Sequence, residues 1–250
     1  MDIPEPNHPP ARETFPRGEL HALWLCARFP SLGFQALAAR NPSLLDALSR
    51  MLLWRVPLAL AEGALGCWSL GRLYATISDP TSPLWQAVAK GLPPDMQWED
   101  IRAWIQELPP PPDLSRILPW VALLAPLYVL SLWLHDAFWD HGCLWLLRGV
   151  QRTQGFRKTM VAEAESLTVG SLGTLLALLV YLPKIGVFLA LPVGILGAYF
   201  WVLRGFALAA FHGCPTWKGV LATVLHVLLL GLGSLLLLLL CMVVMFLAAA

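Results

Sequence analysis

The sequence predicts an all-α membrane protein: a five-span helical bundle preceded by amphipathic interfacial helices. Apolar residues make up 57% of the chain and charged residues only 13%, whereas soluble domains are roughly 25% charged. The mean hydropathy is +0.63, and several apolar stretches reach the ~20 residues that cross a ~30 Å hydrocarbon core. A basic connection, typical of a cytoplasmic loop, separates two of these stretches and carries Arg148, Arg152, Arg157 and Lys158.

The first 50 residues predict no span. Residues 1–18 are proline-rich with mixed charge, which predicts a disordered tail and no cleavable signal peptide. Residues 19–50 predict amphipathic helices on the cytoplasmic membrane face, with Trp24 and Arg28 at the membrane surface. Packing of these helices on the protein's own spans is the alternative.

Five apolar stretches within residues 51–250 predict the membrane domain: 51–77, 117–138, 160–182, 185–211 and 219–250. The long loop 78–116 holds six acidic and three basic residues, so it is predicted outside. Its segment 97–108 predicts an amphipathic helix that places Trp98 and Trp104 on the outer membrane surface. The basic residues put the N-terminus in the cytoplasm and the C-terminus outside, which we expect to be the periplasmic side of an inner membrane.

Small residues recur at four-residue spacing in two of the predicted spans. Gly63 and Gly71 share one helix face in the first, as do Ala190, Gly194 and Ala198 in the fourth. Such faces let a neighbouring helix approach closely. For the fourth span, a neighbour within the chain is the expected partner, and a second copy in a homo-oligomer is the alternative. The leucine tract 235–240 is predicted to face lipid.

Polar residues gather near the cytoplasmic ends of the spans. One group is His135, Asp136, Asp140 and His141, and the other is Glu163, Glu165 and Arg204. Charges inside a bundle are costly and normally paired. One hypothesis is a metal or proton site built from the first group. The alternative is a structural network in which Arg204 neutralises one or two carboxylates.

Two further polar residues lie inside predicted spans. Glu62 is near the centre of the first span, where it is predicted to be neutral, to pair with Arg55, or to line a wet pathway. A lone histidine, His226, is predicted to form a hydrogen bond between helices.

Motifs of established enzyme classes are absent from the sequence. It contains no HExxH, no GxSxG and no phosphate-binding Walker loop. The five cysteines are scattered without a CxxC pair, so neither disulfides nor a cysteine metal site is expected. The net charge of +1 gives no indication of nucleic-acid binding. The sequence therefore predicts a protein without catalytic residues or a cofactor.

The order of several short motifs resembles the Yip-domain family, the five-span membrane proteins that include Ypt/Rab-interacting proteins and bacterial relatives. These motifs are the entry segment with Pro30, Phe34 and Leu37, then His141 followed by LWLLRG, GFRKTMVAEAES (155–166) and YFWVLRGFALAAFHG (199–213). The resemblance covers most of 115–248 and, more weakly, 20–77. The chain departs from the family at Arg148, where glycine is usual, at Glu165, where tyrosine is usual, and at 217–220.

The resemblance implies a non-enzymatic scaffold or assembly and trafficking partner, with the lipid bilayer and another membrane protein as partners. Its eukaryotic members bind small GTPases, whereas the basic, tryptophan-rich character of this chain resembles a bacterial member. Two other functions stay open. One is a small transporter, channel or membrane subunit of a transport complex, using Glu62, Asp136, Glu163 and Arg204. The other is an intramembrane metalloenzyme using His135, Asp136 and His141.

Overall fold

The computed structural model describes residues 17–79, 81–91, 113–151, 155–182 and 186–249, together with 101, 103, 105, 107 and 153. All regular structure in these residues is helical. Several predictions lie outside the described residues. These are the tail 1–16, most of the predicted helix 97–108 with Trp98 and Trp104, and Arg152 of the basic connection.

Eight α-helices follow one another along the described chain. They are α1 (Arg17–Arg28), α2 (Pro30–Ala39), α3 (Leu44–Ser78), α4 (Pro83–Gly91), α5 (Leu114–Leu146), α6 (Gly155–Ala177), α7 (Gly186–His212) and α8 (Thr216–Ala249), and a 3₁₀ turn, Leu178–Tyr181, extends α6. Side-chain caps begin two of them. The Ser43 hydroxyl accepts a hydrogen bond from the Asp46 N–H at 3.1 Å, and the Asp113 carboxylate accepts one from the Ser115 N–H at 2.9 Å.

Four helices are long and apolar enough to cross a membrane: Ser115–Leu146, Gly155–Tyr181, Gly186–His212 and Thr216–Met245. The predictions of an all-helical chain and of several helices able to cross a membrane are thereby confirmed, whereas the first predicted span, 51–77, is not. That span falls on α3, which has 35 residues but whose apolar stretch is interrupted by Arg55 and Glu62. The helix also begins earlier than the predicted span, because Ser43 caps it and nothing breaks it before Met51.

The longest helices pack side by side, with α6 at the centre of the described bundle. It contacts α3, α5 and α7, and α7 in turn packs against α8. Helix α3 runs beside α6 in the same direction, since Arg50 lies at Glu165 and Arg55 at Thr174. Outside this core, the Leu235–Leu240 side chains of α8 are 49–62% exposed, as a lipid-facing surface requires.

Helices α1 and α2 pack on the bundle through one face. Cys26 and Phe34 are fully buried in the core, and the Tyr199 hydroxyl of α7 donates a hydrogen bond to the Ala27 carbonyl at 2.5 Å. Burial, together with the charge of Glu165, raises the pKa of the Cys26 thiol to about 12. The opposite face exposes apolar side chains, so these helices contact the spans on one side and leave the other free.

A neighbouring helix approaches closely at some of the small residues and not at others. A Cβ on Gly63 would meet Val121 of α5 at 2.5 Å, and a Cβ on Gly205 would collide with the backbone of α8 at Gly219 and Val220. The predicted face of α7 differs, because Ala190, Gly194 and Ala198 are exposed. The expected neighbour within the chain is therefore not found among the described residues.

A tight turn ends α5. Arg148 has a φ of 52°, the left-handed conformation that glycine adopts most easily. The Gly149 N–H bonds the Leu144 carbonyl and the Arg148 N–H bonds the Trp145 carbonyl, both at 2.9 Å, which is a Schellman motif. The turn accepts arginine here, and Lys218 donates a hydrogen bond to its carbonyl at 3.1 Å.

Candidate functional site

Arg204 of α7 lies at the centre of a buried ion cluster. Its Nη1 is 3.0 Å from Asp136 Oδ2, its Nη2 is 2.7 Å from Asp140 Oδ2, and its Nε is 3.1 Å from Glu163 Oε2. The Arg204 side chain is 8% exposed, and the three carboxylates are at most 7% exposed. One guanidinium therefore holds carboxylates from two other helices, which its forked donors allow.

The three helices bring these groups together at one depth. Asp140 lies six residues before the end of α5, Glu163 eight residues after the start of α6, and Arg204 eight residues before the end of α7. At 1.5 Å per residue the cluster lies roughly 9–12 Å inside these helix ends. Because Asp136 and Asp140 are four residues apart, both face α7 from the same side of α5.

Two histidines extend the cluster. His226 of α8 is 2% exposed, and its Nδ1 lies 2.7 Å from Asp140 Oδ1. Its ring stacks on Trp139 at 6.1 Å between centroids, and its Nε2 is buried without a hydrogen-bond partner. The His135 Nδ1 lies 3.2 Å from Asp136 Oδ1, and this side chain is 44% exposed. Donor atoms of His135, Asp136 and His226 lie within 4.8 Å of one another.

The formal charges of the cluster do not balance. When all three carboxylates are ionised and the imidazoles are neutral, Asp136, Asp140 and Glu163 contribute three negative charges against one positive charge on Arg204, a sum of −2. One oxygen, Glu163 Oε1, is buried without a hydrogen-bond partner. Uncompensated charge at this depth is costly, so the arrangement favours the uptake of protons or of a cation.

A cavity of about 490 Å³ lies beside the cluster. Charged and imidazole side chains form part of its wall, and glycines on two helices leave room for it. Its lining includes Arg55, His135, Asp136, Ser166, Gly170, Gly173, Thr174, Gly197, Arg204 and His226. The cluster therefore borders a space large enough for several waters or a small solute.

His141 lies apart from this cluster, although the sequence places it beside Asp140. The His141 Nδ1 is 2.9 Å from the Thr159 hydroxyl oxygen, which is also 2.9 Å from His212 Nε2. The Gln151 N–H donates a hydrogen bond to His212 Nδ1 at 3.1 Å. This second network joins the ends of α5, α6 and α7. The predicted four-residue set is therefore split, and His226 occupies the place expected of His141.

The carboxylates of Glu165 and Glu62 also lie outside the Arg204 cluster. Glu165 faces α3 and pairs with Arg50. Glu62 borders a different cavity, of about 520 Å³, together with Gly63, Tyr128 and Tyr181. Arg55, expected to pair with Glu62, donates a hydrogen bond to the Thr174 hydroxyl. Glu62 and the Arg204 cluster therefore border different cavities.

The predicted membrane-surface residues are distributed over α1 and the basic connection. Trp24 is 58% exposed, and the Arg28 guanidinium lies over the Phe29 ring at 5.2 Å. In the connection Arg157 is exposed, and Lys158 donates a hydrogen bond to the Gln151 amide oxygen.

Gly71, predicted for helix packing, borders a small cavity of about 230 Å³ on α3.

Sequence reasoning predicted a hydrogen bond between helices for His226 but not its partner, and it missed the roles of Thr159 and His212. His226 meets Asp140 across 86 positions, and Thr159 meets His212 across 53. Helical periodicity relates residues within a few turns, so it carries no information on such pairs. The available signal was weaker: a polar residue inside an apolar helix usually has a polar partner on another helix.

No family model matches the chain, and comparisons with curated proteins and with solved structures also give no match. The kinship with the Yip-domain family therefore stays a proposal, based on the order of motifs in the sequence.

Proposed function

We propose that this chain is a five-span membrane protein that binds protons or a small cation beside the Arg204 cluster. It works as a small transporter or as the membrane subunit of a transport complex. The observation that carries this proposal is the location of the unbalanced charge. Three carboxylates share one guanidinium, and two members of the cluster, Asp136 and Arg204, line an open cavity.

A purely structural network would be built differently. Buried ion pairs that only hold helices together need balanced charges and satisfied polar atoms. Here His226 Nε2 and Glu163 Oε1 are both buried without hydrogen-bond partners. His226 also lines the cavity of about 490 Å³, and a polar group that is left available at the edge of a cavity is typical of a site that binds an ion or a solute.

The proposed threading adds α3 as the first of five spans and places the basic connection in the cytoplasm of a cell with an inner membrane. The contacts of α3 with α6 and with the 3₁₀ turn support its assignment as a span. They begin at Glu165 and extend to Tyr181, at the end of the turn. A reporter fused after Ala250 tests the threading. Five spans with a cytoplasmic N-terminus place it outside, and a cytoplasmic reporter contradicts the arrangement.

Flux in proteoliposomes tests the transport function. Vesicles that contain a pH dye and carry an imposed potential should show proton uptake that Asp136→Asn removes. Glu62→Gln is the matched control, because it neutralises a carboxylate that lies in a different cavity, and it should leave the flux intact. Transport that stops with Glu62→Gln and persists with Asp136→Asn, or no flux of protons or monovalent cations at all, overturns the proposal.

A second candidate function is the scaffold or assembly role that the Yip-domain resemblance implies. It is favoured by the outward face of α1 and α2, where Leu20, Trp24, Phe29 and Leu32 are 47–63% exposed. An apolar face beside Arg28 suits a membrane surface or a partner helix. A photo-crosslinking amino acid at position 24 in native membranes should capture a defined protein. Lipid adducts alone count against the scaffold.

A further inference from the structure

We propose that His135, Asp136 and His226 bind a divalent transition-metal ion, with Asp140 as the residue that orients His226. The site uses part of the Arg204 cluster. It does not depend on transport, because a bound metal can be measured in protein that moves no solute.

The donor set selects the class of metal. Two imidazole nitrogens and one carboxylate oxygen suit Zn²⁺, Fe²⁺, Co²⁺ or Ni²⁺, whereas Mg²⁺ and Ca²⁺ prefer oxygen ligands alone. The three donor atoms lie within 4.8 Å of one another. Zinc bonds of about 2.0–2.2 Å in a tetrahedron need donor separations of roughly 3.4 Å. His135 is the half-exposed member of the three, so its side chain has room to adjust to a bound ion.

The most direct indication of a ligand is the free nitrogen of His226. This side chain is 2% exposed, yet Nε2 has no hydrogen-bond partner while Nδ1 lies 2.7 Å from Asp140 Oδ1. Metal-binding histidines almost always donate their other N–H to a carboxylate or a carbonyl, which sets the tautomer and the ring orientation. Asp140 and the stacked Trp139 ring hold the imidazole in that way, and Arg204 fixes the other oxygen of Asp140.

The charge of the cluster also fits a dication. With all three carboxylates ionised, Asp136, Asp140 and Glu163 exceed Arg204 by two negative charges, and one divalent ion then brings the sum to zero. Neutralisation matters at this depth, because each uncompensated buried charge costs several kcal/mol.

The site has an open side. His135, Asp136 and His226 all line the cavity of about 490 Å³, so the protein supplies three ligands and leaves further coordination positions to water or to a solute. Three protein ligands with an open position are typical of zinc sites that bind an exchangeable group, whereas structural zinc sites are closed by four ligands.

Equilibrium dialysis of the full chain in detergent tests the site, after chelator treatment and with Zn²⁺ as the probe. We expect about one Zn²⁺ per chain, and Co²⁺ in place of zinc should give visible absorption bands of a low-symmetry nitrogen–oxygen site. His135→Ala is the principal variant, because this half-exposed side chain can be removed with little risk to folding. It should weaken zinc binding at least ~10-fold, the lower bound for perturbing a metal site.

His226→Gln is the second variant. Glutamine can keep a hydrogen bond to Asp140 while it removes the free nitrogen, so loss of zinc without loss of the fold identifies Nε2 as a ligand. His141→Ala is the matched control, since His141 belongs to the separate network with Thr159 and His212, and it should bind zinc as the unaltered chain does.

Two results overturn the proposal. One is a zinc content well below one per chain in the unaltered protein, with no cobalt bands. The other is zinc binding that is unchanged by His135→Ala and lost with His141→Ala. Failure of the flux assay leaves this site standing, and absence of zinc leaves the transport function standing, so the two proposals are tested separately.

Discussion

Replacing Arg204 by glutamine removes the only arginine or lysine side chain that pairs with Asp136, Asp140 and Glu163 among the described residues. All four side chains are almost completely buried. Removing one partner of a buried ion pair costs about 3–5 kcal/mol, because the remaining charge has lost its compensation. Since three carboxylates lose their partner together, we expect the loss in the free energy of unfolding to lie at the upper end of that range.

Denaturation by SDS in mixed micelles, followed by tryptophan fluorescence, measures this loss. Adding Glu163→Gln to Arg204→Gln should recover about 0.5–3 kcal/mol, the size of coupling between contacting residues, because one of the repelling carboxylates becomes neutral. Arg116→Gln is the control, since the Arg116 side chain is 88% exposed and its ion pair contributes little. A loss below ~1 kcal/mol for Arg204→Gln, within the range of a surface change, refutes the reasoning.

Four other substitutions or labels have expected outcomes. Gly205→Ala should destabilise the α7–α8 contact by about 1–3 kcal/mol through overpacking, whereas Gly194→Ala, with nothing within 4 Å of its added Cβ, should unfold at the same or a higher SDS concentration than the unaltered chain, because alanine favours the helix. Arg148→Gly should raise the stability by about 1 kcal/mol, because its left-handed φ favours glycine, and an unchanged or lower midpoint counts against this. Cys26 should resist maleimide at pH 7–8 in folded protein, since its pKa of about 12 leaves almost no thiolate, and mass spectrometry should find it modified only after unfolding. Glu165→Gln should reduce the free energy of unfolding by about 1 kcal/mol, because it breaks the ion pair with Arg50 of α3. The thermal midpoint should therefore fall, and an unchanged midpoint would mean that this pair does not hold α3 in place.

Local features of the sequence predicted much of the helical architecture. The spans mapped to α5–α8 follow from long apolar stretches with few charged residues. Helix α5 begins before the predicted span 117–138, because Asp113 caps it, and continues to Leu146, where the turn at Arg148 ends it. The first apolar stretch, 51–77, is the exception. Arg55 and Glu62 make α3 ambiguous as a span by composition alone, and its position beside α6 depends on contacts with Glu165 and Thr174 that lie more than 100 residues away.

Small-residue spacing shows the same division between local and tertiary information. The spacing identified Gly63 as a position of close approach, and the structure brings Val121 to it. Equal spacing at Ala190, Gly194 and Ala198 met no neighbour within the described chain, whereas Gly205 and Gly219, which the spacing did not indicate, form the close contact of α7 with α8. Periodicity defines a face of one helix, but the neighbour of that face depends on how the whole bundle packs.

For the candidate site, the sequence by itself determined which polar residues lie near one end of the spans, because their positions along each helix set their depth. Only the tertiary structure decided their partners. In the structure Arg204 contacts three carboxylates and His226 contacts Asp140. His141, Glu165 and Glu62 lie outside this cluster: His141 contacts Thr159, Glu165 pairs with Arg50, and Glu62 borders a different cavity. The physical reason is that depth is a one-dimensional property of each helix, whereas contact depends on the rotation and the neighbours of that helix, which no pattern within it records.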